Sequence, residues 1–325
     1  MTITIFVGSL LGAMALGIPI AFALMISAVC LMFYLGMLDS QIIAQTLVNG
    51  ADSVSLMAIP FFILAGELMN AGGISKRIID FAISAVGHVR GGLGYVAIIT
   101  AVLFACLSGS AVADTAAVGA ILIPMMAKAG YDRSRSAGLV AAGGIIAPII
   151  PPSIPFIIFG VASGVSITKL FIGGIVPGLM MALGLAAVWV YVSRKEKSAV
   201  YPRKSAKEIL QATKHAFWGL LLPVIILGGM KGGIFTATEA AAVAVFYAWF
   251  VGTVIYRQIR LNDLYNALVA ASKTTSVVMF LIAASMVASW MITVANIPSS
   301  ITEVVMPIMD HPLLLLLLIN LLVLV

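Results

Sequence analysis

Charge is what this sequence has least of: Asp, Glu, Lys and Arg together make up 9% of its 325 residues, against 62% hydrophobic ones. A soluble domain carries roughly a quarter of its residues charged, so that class is excluded. Cysteine is nearly absent. Cys30 and Cys106 lie far apart inside apolar stretches, which rules out a disulfide framework, a CxxC pair or a thiolate metal cluster. His88, His215 and His311 fall in connectors and pair with nothing that would make a metal site or a catalytic base. There is no GxxxxGK[ST] loop to hold ATP, and no HExxH or comparable pairing to support an intramembrane enzyme. Met1 to Phe6 carries no positive charge and no cleavage site follows, so a removable signal peptide is not expected.

What the chain does have is hydrophobic length. Mean hydropathy is +1.17, and apolar runs of about twenty residues recur between short polar connectors, as helices crossing a bilayer require. The pattern predicts an all-α polytopic membrane protein, because a membrane β-barrel would alternate in polarity. Net charge is +6 with a pI near 9.4, but the basic residues cluster in particular connectors. They report topology; the partner they imply is the lipid bilayer and not a nucleic acid.

Residues 3–36 form an uncharged run broken at Gly17-Ile18-Pro19. Two short helices joined by a tight turn are favoured over one long kinked helix. The connector 37–53 holds Asp39 and Asp52 without Lys or Arg and should face outside. A span is expected over 54–75. An amphipathic helix then follows on the cytoplasmic surface over 76–90, with Lys76 and Arg77 at its start.

Lys128, Arg133 and Arg135 mark the next connector as cytoplasmic as well. A single span over 92–127 would put its two basic flanks on opposite sides, against the positive-inside rule. A re-entrant hairpin with its tip at Leu107 to Ala111 keeps both inside. Two full spans would also do so, but each arm has only about 16 residues, short for about 30 Å of hydrocarbon.

From Ser136 to about 165 the chain should cross outward as a broken helix, interrupted by Gly143-Gly144 and by Pro148, Pro151, Pro152 and Pro155. A return helix is expected over 170–193. The largest basic cluster follows, with Arg194, Lys195, Lys197, Arg203, Lys204, Lys207 and Lys214. Inside it, Ser205 to Glu208 fits a capping box and suggests a separate interfacial helix. Residues 216–230 and 236–256 form a helical pair, Arg257, Arg260 and Lys273 mark an inner connector, and a span over 274–296 leads to an outer connector with Pro298, Glu303, Pro307, Asp310 and Pro312.

The two halves match in element order at an offset of about 218 to 220, with opposite starting sides, as in the inverted repeats of many secondary transporters. That offset sets the counterpart of Ser108 one residue beyond Val325. A second hairpin and a second broken helix, on the order of 85 residues, are therefore expected to continue the chain.

Irregular backbone survives in a membrane only where protein or water covers it, so the stretch Leu103 to Ser153 should bind something. Ser108, Gly109, Ser110, Asp114 and Thr115 would supply a hairpin tip; Gly143, Pro148, Pro152 and Ser153 would supply the break. Free carbonyls at helix ends suit a cation such as Na⁺, and half-helix N-termini suit an anion. Asp114 is costly in lipid and either contacts an ion or orients the tip. Glu67 and Glu239 are weaker candidates, each equally explained as a local hydrogen-bond partner. Lys231 sits in an outer turn.

Several runs together resemble the large membrane (M) subunit of tripartite ATP-independent periplasmic (TRAP) transporters. They are Pro60 to Gly66 (PFFILAG), Met69 to Ile74 (MNAGGI), Ser108 to Asp114 (SGSAVAD), Ile149 to Pro155 (IIPPSIP) and Gly233 to Ala240 (GIFTATEA). The resemblance covers essentially the whole chain. It departs only at the end, where that family continues into a second hairpin and a second Thr-Pro-Pro break.

The resemblance implies an ion-transporter fold of the inverted-repeat elevator type in the bacterial inner membrane. A periplasmic substrate-binding (P) protein would deliver an organic acid anion, a small membrane (Q) subunit would brace the scaffold, and Na⁺ would drive uptake. Carried onto this sequence, the first Na⁺ site would use Ser108, Gly109, Ser110, Gly143 and Ser153. The family handles C4-dicarboxylates, sialic acid and sugar-derived keto acids, and this chain leans to the sugar-acid branch. The implied organisation is scaffold over 1–75, an amphipathic arm over 76–91, a transport domain over 92–193, a basic linker over 194–215, scaffold over 216–296, and an outer connector with the start of a second hairpin over 297–325. The competing reading is a stand-alone Na⁺- or H⁺-coupled carboxylate carrier of related fold, distinguished by uptake without a binding protein.

Overall fold

A chain this apolar must satisfy its backbone polar groups internally, and helices do so within one segment. The computed structural model describes residues 1–194, 202–299, 302, 306 and 312–324, and every regular element among them is helical. Six helical stretches among the described residues are long and apolar enough to cross a membrane: Val54–Ala71, Ala111–Lys128, Ile167–Ser193, Ala206–Lys231, Ala237–Ile255 and Leu261–Val294. Lys195, Lys197, Glu303, Pro307, Asp310 and His311, which figure in the topology expected from charge, lie outside the described residues.

The chain divides into two compact units, Met1–Ser53 with Val277–Val325, and Val54–Ser276. In the first, α1 (Thr2–Ala15) and α2 (Ile20–Tyr34) are separate helices. Gly17 turns between them at φ +77°, a conformation glycine adopts without strain, and Pro19 precedes α2, where its missing N–H costs nothing. The expected connector 37–53 instead contains α3 (Ser40–Ala51), because Asp39 caps it by accepting the Gln41 N–H at 2.7 Å. Phe6, Leu31, Met32, Val287 and Met291 form the buried core of this unit.

The second unit opens with a 3₁₀ turn (Val54–Met57) into α4 (Ala58–Ala71), and Gly72-Gly73 turns the chain into α5 (Ile74–Val86). The amphipathic helix expected at 76–90 is thus α5, and it buries Ile74, Ile78, Ile79 and Ala82. Next comes a helical hairpin of α6 (Gly92–Ser108) and α7 (Ala111–Lys128). The broken helix is α8 (Arg133–Gly144) and α9 (Ile154–Ser163), and α10 (Ile167–Ser193) returns.

Two expected boundaries are corrected. The capping box at Ser205 and Glu208 forms, but α11 (Ala206–Lys231) is one continuous helix and not an interfacial helix followed by a span. The charged segment expected as an inner connector up to Lys273 belongs to α13 (Leu261–Val294), which follows α12 (Ala237–Phe250) and a π turn (Val251–Ile255). No Gly or Pro lies between Leu261 and Val294 to stop it. The last described helix is α14 (Pro312–Leu324).

Small residues set the close approaches. Helices α4 and α12 pack extensively against each other, and α12 buries Ala237, Ala240, Ala241, Ala244 and Ala248, which lets two backbones come near each other. At the base of the hairpin, buried Trp189 of α10 donates its Nε1–H to the Gly91 carbonyl at 2.8 Å and stacks on Tyr131 with ring centroids 6.1 Å apart. Its indole fills the space that a side chain on Gly94 would need.

Gly94→Ala should therefore destabilise the protein by about 1–3 kcal/mol through overpacking against Trp189. Gly184→Ala on α10, where nothing lies within 4 Å, should be neutral or slightly stabilising. Thermal melting of the two variants in detergent checks both, and equal melting temperatures would contradict the packing account.

Candidate functional site

Between α6 and α7 the chain reverses in two residues. Gly109 takes φ +63°, and Ser110 caps α7 by accepting the Ala113 N–H at 3.4 Å. The Ser110 N–H bonds the Ser108 hydroxyl oxygen at 3.1 Å. Among the described backbone bonds, none from Gly109 or Ser110 closes back onto the last turn of α6. The carbonyls ending α6 are thereby left without the amide partners that cap an ordinary helix.

Asp114, one turn into α7, is 3% exposed. The Ser108 hydroxyl donates to its Oδ1, while its Oδ2 is buried and accepts no hydrogen bond. A buried carboxylate oxygen without a donor is unfavourable unless a cation, a proton or a water completes it.

The interruption between α8 and α9 has a different cause. Pro148, Pro151, Pro152 and Pro155 bring no amide N–H, so the helix cannot run through. Ser153 repairs the gap from both sides: its hydroxyl donates to the Pro148 carbonyl, and its oxygen accepts the Phe156 N–H at 3.2 Å as the cap of α9. The Pro151-Pro152 peptide is cis. Gly174 and Gly178, four apart on α10, leave room for Ile149 and Ile150 of this turn.

Tip and break touch. A side chain on Gly109 would run into the Pro152 carbonyl oxygen and approach Ser153 Cα to 3.4 Å. Thr115 fills the space beside Gly144. Of the residues singled out by sequence, Ser108, Gly109, Ser110 and Asp114 thus form one cluster that meets Pro152 and Ser153. Pro148 joins it through the Ser153 hydroxyl. Gly143 does not, since it faces Ala101 of α6 at 3.1 Å.

Sequence reasoning on the site passed over Gly66 of α4, whose added Cβ would lie 3.1 Å from Ser108 Cβ. The signal was there in the run from Pro60 to Gly66, a glycine ending an apolar stretch. Glu239 is a partner in a second capping box, accepting the Thr236 N–H at 2.8 Å. The arrangement can offer hydroxyls, free carbonyls and one carboxylate oxygen to a small cation. That donor set is all oxygen, which suits a hard ion.

The family described as "Tripartite ATP-independent periplasmic transporter, DctM component" matches residues 7–325. The chain is 56% identical over 315 residues to a 2,3-diketo-L-gulonate TRAP transporter large permease of Escherichia coli, covering 97% of this chain and 74% of that protein. It is 40% identical over 321 residues to a sialic acid TRAP transporter large permease of Vibrio cholerae, covering 98% and 75%. A C4-dicarboxylate TRAP transporter large permease of Pseudomonas aeruginosa is 43% identical over 283 residues, covering 87% and 66%. These relatives are transporter permeases and not enzymes. On that similarity, spread over nearly the whole chain, the protein belongs to the large permease family of the TRAP transporters and is a multi-pass protein of the bacterial inner membrane.

Proposed function

We propose that this permease takes up an organic acid anion driven by Na⁺, and that the tip at Ser108 to Ser110 with the break at Pro148 to Ser153 forms one Na⁺ site. The contact of Gly109 with the Pro152 carbonyl carries the reading. It joins the end of one half-helix, with its carbonyls free, to the start of another. Ser108, Ser110 and Ser153 supply hydroxyl oxygens there, and Asp114 holds the Ser108 hydroxyl while keeping a second oxygen unpaired. In this reading residues 92–193 are the mobile part of an elevator and the helix pairs at 3–36 and 216–256 are scaffold. A periplasmic binding protein delivers the substrate and a small membrane subunit braces the scaffold.

The substrate is proposed to be a sugar-derived acid, a reading supported by the likeness to the diketogulonate permease. No arginine belongs to the tip or the break, so backbone amides at the helix starts of α7 and α9 would face the carboxylate.

In proteoliposomes, Ser110→Ala and Asp114→Asn should each raise the Na⁺ concentration needed for half-maximal uptake, by roughly 10-fold to 100-fold as for lost or misoriented ion ligands. Unchanged Na⁺ dependence in both variants would remove the site. Gly109→Ala should cost about 1–2 kcal/mol for its left-handed backbone alone and should also abolish Na⁺-dependent protection in a thermal melt. The ligand that copurifies with the cognate binding protein, identified by mass spectrometry, should be a sugar acid; a C4-dicarboxylate or sialic acid in its place would sink the substrate proposal.

A further inference from the structure

Away from the tip and break, α5 and α11 leave between them a cavity of about 540 Å³ whose lining includes Lys76, Arg77, Asp80, Lys204, Glu208 and His215. Helices of a membrane protein seldom gather this many charges without a use for them. The basic residues put the cavity on the cytoplasmic side by the positive-inside rule.

Arg77 is held in place from three directions. Its Nη1 donates to the Gly73 carbonyl at 2.8 Å and to Gln258 Oε1 at 3.2 Å, and its guanidinium carbon lies 3.8 Å from the centroid of the Tyr256 ring. Tyr256 is itself fixed, donating its hydroxyl to the His215 carbonyl at 2.6 Å. All the hydrogen bonds described for Arg77 use Nη1, so its Nη2 and Nε donors stay unspent. Such a stacked, preorganised guanidinium with an open edge matches a phosphate.

Lys76 and Lys204 are exposed, and among the described residues neither makes a hydrogen bond. Glu208 is tied to Ser205, its Oε2 accepting the Ser205 N–H at 2.8 Å and the Ser205 hydroxyl at 2.9 Å, and it also feels the charge of Lys204. Asp80 is the remaining acid of the wall. Ile83 and Ala212 add an apolar side to the same cavity.

We infer that this cavity binds the phosphate of an acidic phospholipid headgroup from the cytoplasmic leaflet. Arg77 takes the phosphate oxygens, Lys76 and Lys204 complete the charge, and the acyl chains leave along the apolar wall into the bilayer. The site pins the amphipathic α5 to the start of α11 and is independent of the proposed Na⁺ site.

The permease in neutral detergent, titrated separately with short-chain phosphatidylglycerol, short-chain phosphatidylcholine and inorganic phosphate, tests this by native mass spectrometry and thermal melting. Phosphatidylglycerol should bind at one site and raise the melting temperature, with neither other ligand doing so at equal concentration. Lys76→Gln should weaken that binding about fivefold, and Lys76→Gln with Lys204→Gln roughly thirtyfold, given the attraction of a single basic side chain to an anionic surface. Both side chains are exposed, so melting without lipid should match the wild type. Arg77→Lys, which keeps the charge and loses the fork, should also weaken binding. Equal phosphatidylglycerol binding by wild type and the double variant would overturn the assignment. So would phosphatidylcholine binding as tightly, or inorganic phosphate binding as tightly, the last marking a soluble-anion site.

Discussion

The contact between Gly109 and the Pro152 carbonyl is the constraint on which the candidate site depends. Any side chain at 109 would push the hairpin tip off the broken helix. The left-handed backbone there also turns the chain so that the Ser110 N–H meets the Ser108 hydroxyl instead of capping α6. One glycine thus produces both the approach of the two segments and the free carbonyls between them.

Many of the described helices begin on a side-chain cap. Asp39, Asp132, Ser153, Ser166, Ser205 and Thr236 each cap the helix that follows them with their own side chain. In a medium with little water, this is how a helix restarts after an interruption. Against that background the uncapped end of α6 and the orphaned Oδ2 of Asp114, the carboxylate oxygen among the buried unpaired side-chain atoms of the described residues, are departures that packing must tolerate. Departures from local satisfaction are where function is expected.

Small residues do the rest of the positioning. Gly66 backs the tip, Gly144 makes room for Thr115, and Gly174 with Gly178 seats the turn at Ile149 and Ile150. Each is a close approach between segments that lie far apart in the chain. The irregular backbone of the site is therefore walled by helices on several sides, as irregular backbone at membrane depth must be.

The amino-acid sequence by itself determined the membrane class, the family, and the places where helices stop: Gly17-Ile18-Pro19, the tip at Ser108 to Ser110, the prolines from 148 to 155, and the cap at Ser205. These are local matters of missing amide donors, left-handed turns and side-chain caps, readable within a few residues. It misjudged extent where no local signal exists, splitting α11 and shortening α13, because continuity there depends on what the helix packs against. Only the tertiary structure decided that Gly109 meets Pro152, that Ser108 takes one oxygen of Asp114 and leaves the other bare, that Gly66 lies behind the tip, and that Gly143 faces Ala101 instead of the site. Apart from the Ser108–Asp114 bond, which spans six residues, those contacts join segments about forty residues apart, and their geometry is set by how closely helices pack and not by the propensity of any one residue.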